Sequence, residues 1–329
     1  MMNISGFASS ARFFLICAMM LAVPAAVSAQ NYPTKPVRLI IGFPPGGPTD
    51  IIIRLMSKRL SEKLGQPVLV ENHPGAGGVI AANIVAKAPP DGHTFLATPI
   101  SNHFISSLVQ KTPPYDVLKD FTPIAGGTDV WRGIAISNKV PATSLVELIA
   151  LAKRQPGKLS YSSAGVGTYF HLAGELFNRA AGVEIVHVPY KGAAQALAEL
   201  RNGQIDMTFS GLAPMLQSIR DGQIRMVAVM NEGRHPDFPN IPALLETFPN
   251  FVQLDGSLGF FGPAGLPDSI IHRIHEGIVG AVYSAEVRAA LENSGFRVWV
   301  TPPSEFAKGL ERTREVFKAA VKDADLKPE

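Results

Sequence analysis

Apolar and polar positions fall in short blocks that alternate between two periods. Val37 to Phe43 (VRLIIGF) is an apolar run rich in branched side chains, which predicts a buried strand. Pro44 to Thr49 interrupts it. Asp50 then precedes Ile51, Ile52, Leu55, Leu60 and Leu64, a stripe at near-helical spacing that Gly65 and Pro67 bring to an end. Pro67 to Val70 predicts a second strand, Val79 to Ala88 a second helix and Thr94 to Thr98 a third strand. Strand, helix, strand, helix, strand implies crossover packing onto a parallel sheet.

The same rhythm restarts near Trp131. Gly133 to Ser137 reads as a strand, and Ser144 with Glu147 forms a capping box for a helix to Arg154. Leu159 to Ser162 and Glu184 to Val188 read as strands, with helices at Thr168 to Ala181 and Ala193 to Asn202. Ile205 to Phe209, Arg225 to Val229 and the stretch Phe251 to Phe261 add further strands. Helices at Asp268 to Tyr283, Ala285 to Ser294 and Ser304 to Ala324 finish the chain. A length of 329 residues suits two such units better than one core.

Composition narrows the class. The chain is 46% hydrophobic and 17% charged, which excludes a disordered polymer, and its 30 basic and 27 acidic residues form no basic run that would track a nucleic acid. Residues 1 to 29 read as a secretory signal, with Arg12 at its start, an apolar stretch from Phe13 to Val23, and Val27-Ser28-Ala29 as a small-residue cleavage site. The single cysteine, Cys17, lies inside that segment. The mature chain is then expected to have no disulfide, no cysteine nucleophile and no thiolate metal site, and to reside in the periplasm.

Two glycine-rich turns each follow a strand and precede a helix: FPPGGPTD, Phe43 to Asp50, and SSAGVGTYFH, Ser162 to His171. Such turns free backbone N–H groups at the positive end of a helix dipole, a ready anion site. Neither matches a nucleotide loop. Pro48-Thr49 stands where a Walker loop needs Lys-Ser/Thr, and Phe170 stands where a dinucleotide fingerprint needs its third glycine. Neither turn holds Lys or Arg, so a carboxylate fits better than a polyphosphate. Either turn alone could merely shape the chain; two at equivalent places point to binding.

Catalytic patterns are thin. No GxSxG elbow occurs. His171 and Glu175 share a helix face without an evident third metal ligand, so His171 is read as a helix-start side chain beside the turn. His272, His275 and Glu276 read as the solvated face of the Asp268 helix. Arg132 reads as a surface ion pair, with a ligand acid as its other option. Tyr169-Phe170 either stacks on a ligand or fills the space between the units. No enzyme activity, metal or cofactor is expected.

With these residues in view, the chain resembles the periplasmic substrate-binding proteins of tripartite tricarboxylate transporters, the Bug receptors. The likeness rests on PGGPTDIIIR (Pro45 to Arg54), VENHPGAGG (Val70 to Gly78), PPDGHTFL (Pro89 to Leu96) and YDVLKDFTPI (Tyr115 to Ile124). It continues through YSSAGVGTYFHLAGELF (Tyr161 to Phe177), VPYKGAAQAL (Val188 to Leu197) and GFFGPAGLP (Gly259 to Pro267). The resemblance implies an α/β, two-lobed type II periplasmic-binding-protein (Venus-flytrap) fold, each lobe a mostly parallel sheet flanked by helices. Residues 30–130 plus 253–329 would form lobe 1, and 131–252 lobe 2. It implies a ligand carboxylate held by Phe43, Gly46, Gly47, Thr49 and Asp50, and closed over by Ser163, Ala164, Gly165, Gly167, Thr168 and His171. Ala76, in the Pro74 to Gly77 turn, and Pro99 and Ser101, in the Pro99 to His103 loop, would line the cleft. It further implies capture of a small organic carboxylate, a di- or tricarboxylate or an aromatic acid, by a monomer that serves a membrane permease. A sensing receptor using the same cleft is the rival. The sequence departs from the family pattern at Val166, where a polar residue is usual, and at Tyr169-Phe170, bulkier than the usual small pair. Both changes favour an apolar body on the ligand.

Overall fold

The computed structural model describes residues 32–326, so the signal-segment expectation for residues 1 to 29 lies outside the described residues. The chain builds two sheets. The larger is ordered β11-β4-β10-β3-β1-β2 and the smaller β7-β6-β8-β5-β9. The larger contains β1 (Val37–Ile41), β2 (Val68–Asn72), β3 (Thr94–Pro99), β4 (Phe121–Val130), β10 (Leu258–Pro263) and β11 (Phe296–Thr301). The smaller contains β5 (Arg132–Ser137), β6 (Ser160–Ser163), β7 (Val186–Pro189), β8 (Met207–Gly211) and β9 (Ile224–Val229).

The strand–helix rhythm yields parallel pairs where it predicts them: β1 with β2 and β3, and β6 with β7 and β8. Elsewhere both sheets are antiparallel, with β10 against β3 and β4, β11 against β4, and β5 against β8 and β9. Each sheet is therefore mixed: two of the five strand pairings in the larger and two of the four in the smaller are parallel. The reason is the crossing: β4 runs almost directly into β5, so the chain enters the second sheet against the direction of its βα units.

Helices cover both sheets. They are α1 (Pro48–Leu64), α2 (Val79–Ala86), α3 (Ile100–Leu108), α4 (Leu145–Arg154), α5 (Tyr169–Ala181) and α6 (Ala193–Asn202). The rest are α7 (Leu212–Arg220), the single turn α8 (Leu244–Thr247), α9 (Asp268–Val282), α10 (Ala285–Asn293) and α11 (Pro303–Asp323). Local signals act as expected at several ends. Gly65 closes α1 in the left-handed conformation, and the Ser144 side chain accepts the Glu147 amide at the start of α4. The Glu147 carboxylate reaches back one residue further than predicted, to the Thr143 N–H at 2.6 Å.

The stripe of α1, with Ile52, Ile53, Met56, Leu60 and Leu64 buried, packs on the larger sheet beside α9. A second apolar cluster runs from Phe104 and Val109 through Phe317 to Leu172 and Phe177, under both sheets. The last helix, α11, packs on both α3 and α5. The segments that pass between the sheets are tied together: Asn231 Oδ1 accepts the Arg132 N–H at 2.8 Å, and the Met230 N–H donates to the Arg132 carbonyl at 2.8 Å. Two expectations change in detail. His275 is half-buried, its Nδ1 3.2 Å from the Ile124 carbonyl, while His272 and Glu276 stay exposed. The Pro99 to His103 stretch is the first turn of α3 rather than a loop.

Candidate functional site

Four of the parallel strands end facing one place. From the carboxyl ends of β1, β3, β6 and β7 short turns lead into α1, α3, α5 and α6, and each of these four strand–helix junctions contributes to the wall of one cavity of about 430 Å³. Every helix start leaves first-turn N–H groups without intrahelical partners and the positive end of a dipole beside them. Helix starts gathered outside the carboxyl ends of strands favour an anion, although the α5 start spends its Tyr169 and His171 N–H groups on Asn102 and Thr168. The remaining wall is largely apolar, with Phe43, Ile52, Pro74, Val130, Phe170 and Leu258.

Of the residues expected in the first turn, Phe43, Gly47 and Thr49 line the cavity, and Gly46 and Asp50 do not. Asp50 is buried beneath the turn. It accepts the Gly46 N–H at 3.0 Å, Arg54 Nε at 2.9 Å and Asn72 Nδ2 at 2.9 Å. Burial raises the Asp50 pKa, but the Arg54, Gly46 and Asn72 donors outweigh it and hold the carboxyl below its ordinary range. Asp50 therefore fixes the turn from beneath it.

The second turn behaves differently from its expectation. Ala164 lines the cavity; Ser163, Gly165, Gly167, Thr168 and His171 do not. Their groups are engaged with one another. The Gly165 N–H donates to Ser163 Oγ at 3.1 Å, the Gly167 N–H to His171 Nδ1 at 3.2 Å, and the Thr168 N–H to the Gly165 carbonyl at 3.4 Å. His171 also stacks on His187 with ring centroids 4.0 Å apart, and burial draws its pKa down to about 4, so it is neutral. His171 is thus the helix-start side chain its sequence position suggested.

Ala76 is outside the cavity wall, although Pro74 of the same turn is in it. Pro99 and Ser101 are in the wall as expected, joined by Asn102, whereas His103 turns into a cage of Phe104, Tyr115, Phe121 and Phe261. Ser101 is wholly buried, and its Oγ has no hydrogen-bond partner among the described residues. The Tyr169-Phe170 pair lies where the units meet. Both rings line the cavity, and Tyr169 is buried at the junction of the units.

Sequence reasoning missed three contributors. The first is the Lys191 to Gln195 stretch at the start of α6. A Cβ on Gly192 would lie 2.9 Å from the Pro44 ring, so this turn and the first meet at a position only glycine allows. Its signal was the same strand–glycine–helix grammar as the other two turns. The second is Thr128, in the wall with φ at 49°, a backbone form uncommon for a branched residue. The third is the true setting of Arg132. It is 5% exposed and bidentate to Asp129 at 2.8 and 3.2 Å, with its guanidinium 5.1 Å from the Tyr169 ring. The surface ion pair expected there is a buried one in the cavity wall. Among the described residues, no group of three or more His, Cys, Asp or Glu could hold a metal.

A two-sheet α/β molecule with its cavity between the sheets, ringed by helix starts, is the architecture of a periplasmic binding protein. Solved structures agree. A periplasmic transporter matches with 35% identity and a TM-score of 0.84 over 90% of this chain and 99% of its own. The periplasmic binding protein BugD matches with 27% identity and a TM-score of 0.85 over 91% and 100%. Rhodopseudomonas palustris Rpa4515 with adipate matches with 31% identity and a TM-score of 0.84, also over 91% and 100%. The family model described as "Tripartite tricarboxylate transporter family receptor" matches residues 52–326, and the chain belongs to that family. Protein BugT of Bordetella pertussis is 32% identical over 285 residues, 86% of this chain and 87% of its own length. The family is one of substrate-binding receptors, not of enzymes.

Proposed function

We propose that this chain is a periplasmic receptor that closes on a small organic carboxylate and delivers it to the membrane permease of a tripartite transporter, acting as a monomer. The observation that carries the reading is the convergence of the α1, α3, α5 and α6 starts on one cavity. A carboxylate, with one charge and two acceptor oxygens, suits the amides of Gly47 and Thr49 and the unpartnered Ser101 hydroxyl. The adipate in the solved Rpa4515 structure supports the ligand class. Closure follows from differential affinity. Moving the lobes from 1:99 to 99:1 in favour of the closed state needs about 5.5 kcal/mol.

Thermal stability with a panel of carboxylates tests this. An acid at a hundredfold excess over its Kd stabilises by about 2.7 kcal/mol. Gly47 has an extended φ of −79°, and a Cβ there would approach only the Pro44 carbonyl, at 3.7 Å. Gly47→Val therefore keeps the fold and puts its branches in the cavity wall, and the carboxylate-dependent stabilisation should vanish. Equal stabilisation of variant and wild type would remove this turn from the site.

A further inference from the structure

Resting on the carboxylate reading of this cavity, we propose that it takes an organic anion with one carboxylate on an uncharged, apolar body, a linear or aromatic monocarboxylate, in preference to a di- or tricarboxylate. The charges of the wall set this preference. Among the described residues the cationic side chains in the cavity wall are Arg132 and Lys191. Arg132 is already neutralised. Both of its terminal nitrogens hold Asp129, which is itself 6% exposed, while the half-exposed Arg297 reaches the same carboxylate only at 3.9 Å. Gly256 seals it on the other side, where a Cβ would fall 1.8 Å from Arg132 Nη1.

A second ligand carboxylate brought to this end would meet the Asp129 carboxylate together with Arg132. It would gain no unmatched positive charge while losing its hydration. What Arg132 still offers is a buried Nε–H without a partner, enough for one neutral acceptor such as a hydroxyl or carbonyl oxygen. Lys191 stands exposed, where solvent screening makes a charge pair weak.

The other surfaces point the same way. Phe43, Ile52, Pro74, Val130, Phe170 and Leu258 supply apolar wall. The buried Ser101 hydroxyl lacks an acceptor, and one carboxylate oxygen would provide it. The cavity therefore has fittings for one anionic head and apolar surface for the rest.

Two six-carbon acids that differ only at the far end, hexanoate and adipate, make the test by calorimetric titration, with phenylacetate as an aromatic probe. Hexanoate or phenylacetate should bind at least tenfold more tightly than adipate. Adipate binding as tightly as both monoacids, or more tightly, would overturn the inference and leave the carboxylate reading standing. Failure of every acid in the panel would overturn both. Asp129→Asn frees Arg132 and should move the adipate-to-hexanoate affinity ratio about tenfold towards adipate. An unchanged ratio in a folded variant would refute the neutralised arginine, and the wild-type ratio decides alone if that substitution costs the fold.

Discussion

Asn102 and Tyr169 join the two halves of the molecule across the cavity: the Asn102 side-chain carbonyl accepts the Tyr169 backbone N–H at 2.8 Å. Both residues also line the cavity wall, so the bond that holds the lobes together is part of the surface the ligand meets. Ser106, one helical turn further along α3, adds a second link. Its hydroxyl lies 2.9 Å from the Gly77 carbonyl and 3.0 Å from the Gly167 carbonyl. Asn102→Ala leaves the buried Tyr169 N–H without its acceptor, at a cost of about 1–3 kcal/mol to the closed state alone. Ligand affinity should fall about fivefold to a hundredfold by titration calorimetry. Small-angle scattering with saturating ligand should still show closure.

Asp50 makes a different prediction because it acts from beneath the first turn. Asp50→Ala strands the Gly46 N–H, Arg54 and Asn72 together. Arg54 is half exposed and recovers water, which limits the loss to about 2 kcal/mol. Urea denaturation should show a lower midpoint with an unchanged slope. Carboxylate binding should weaken in the same variant, although Asp50 is not in the cavity wall.

Histidine burial sets the acid limit of the fold. Burial lowers the pKa of His103 to about 3, of His171 to about 4 and of His187 to about 3, the last with a contribution from His171. Each folded value lies below the ordinary 6.5 or so, so the unfolded chain takes up more protons below that pH. Stability is complete above about pH 6.5 and is lost progressively as the pH falls towards 4. His103→Phe, in its cage of four aromatic rings, should flatten the fall in Tm between pH 7 and 4.5. An unchanged slope would exclude His103 as a source of it.

Gly192 reports on the meeting of the first turn with α6. Gly192→Val drives its side chain into the Pro44 ring and should hold the lobes apart. Affinity for any carboxylate should drop at least tenfold while the ligand-free Tm changes little. Retained affinity would show that the two turns need not touch.

Much of this was legible from the chain because α1 and α5 carry regular apolar stripes, one ending at Gly65 and the other starting at Thr168. Elements with breakers in them were not. Pro123, Gly126 and Gly127 hid β4, and Pro123 is tolerated because it sits at the register shift between β4 and β10. Pro214 hid α7, where it occupies the first turn and needs no N–H partner. Polar Ser101, Asn102 and His103 disguised the start of α3 as a loop. The glycine grammar located half of the site, since strand–turn–helix junctions can be read locally. It could not show that Asp50 faces away, that the amides of Gly165, Gly167 and Thr168 are engaged, or that Arg132 meets Asp129, because those depend on the folded geometry.

The most direct measurement is a crystal structure of the protein with the monocarboxylate that raises its Tm most. The carboxylate should lie at the first turn of α1, within hydrogen-bonding distance of the Thr49 N–H, with the apolar body beside Tyr169 and Phe170. Density for the acid elsewhere, for instance in the groove between Lys153 and Asp325, with this cavity holding none of it, would contradict the account.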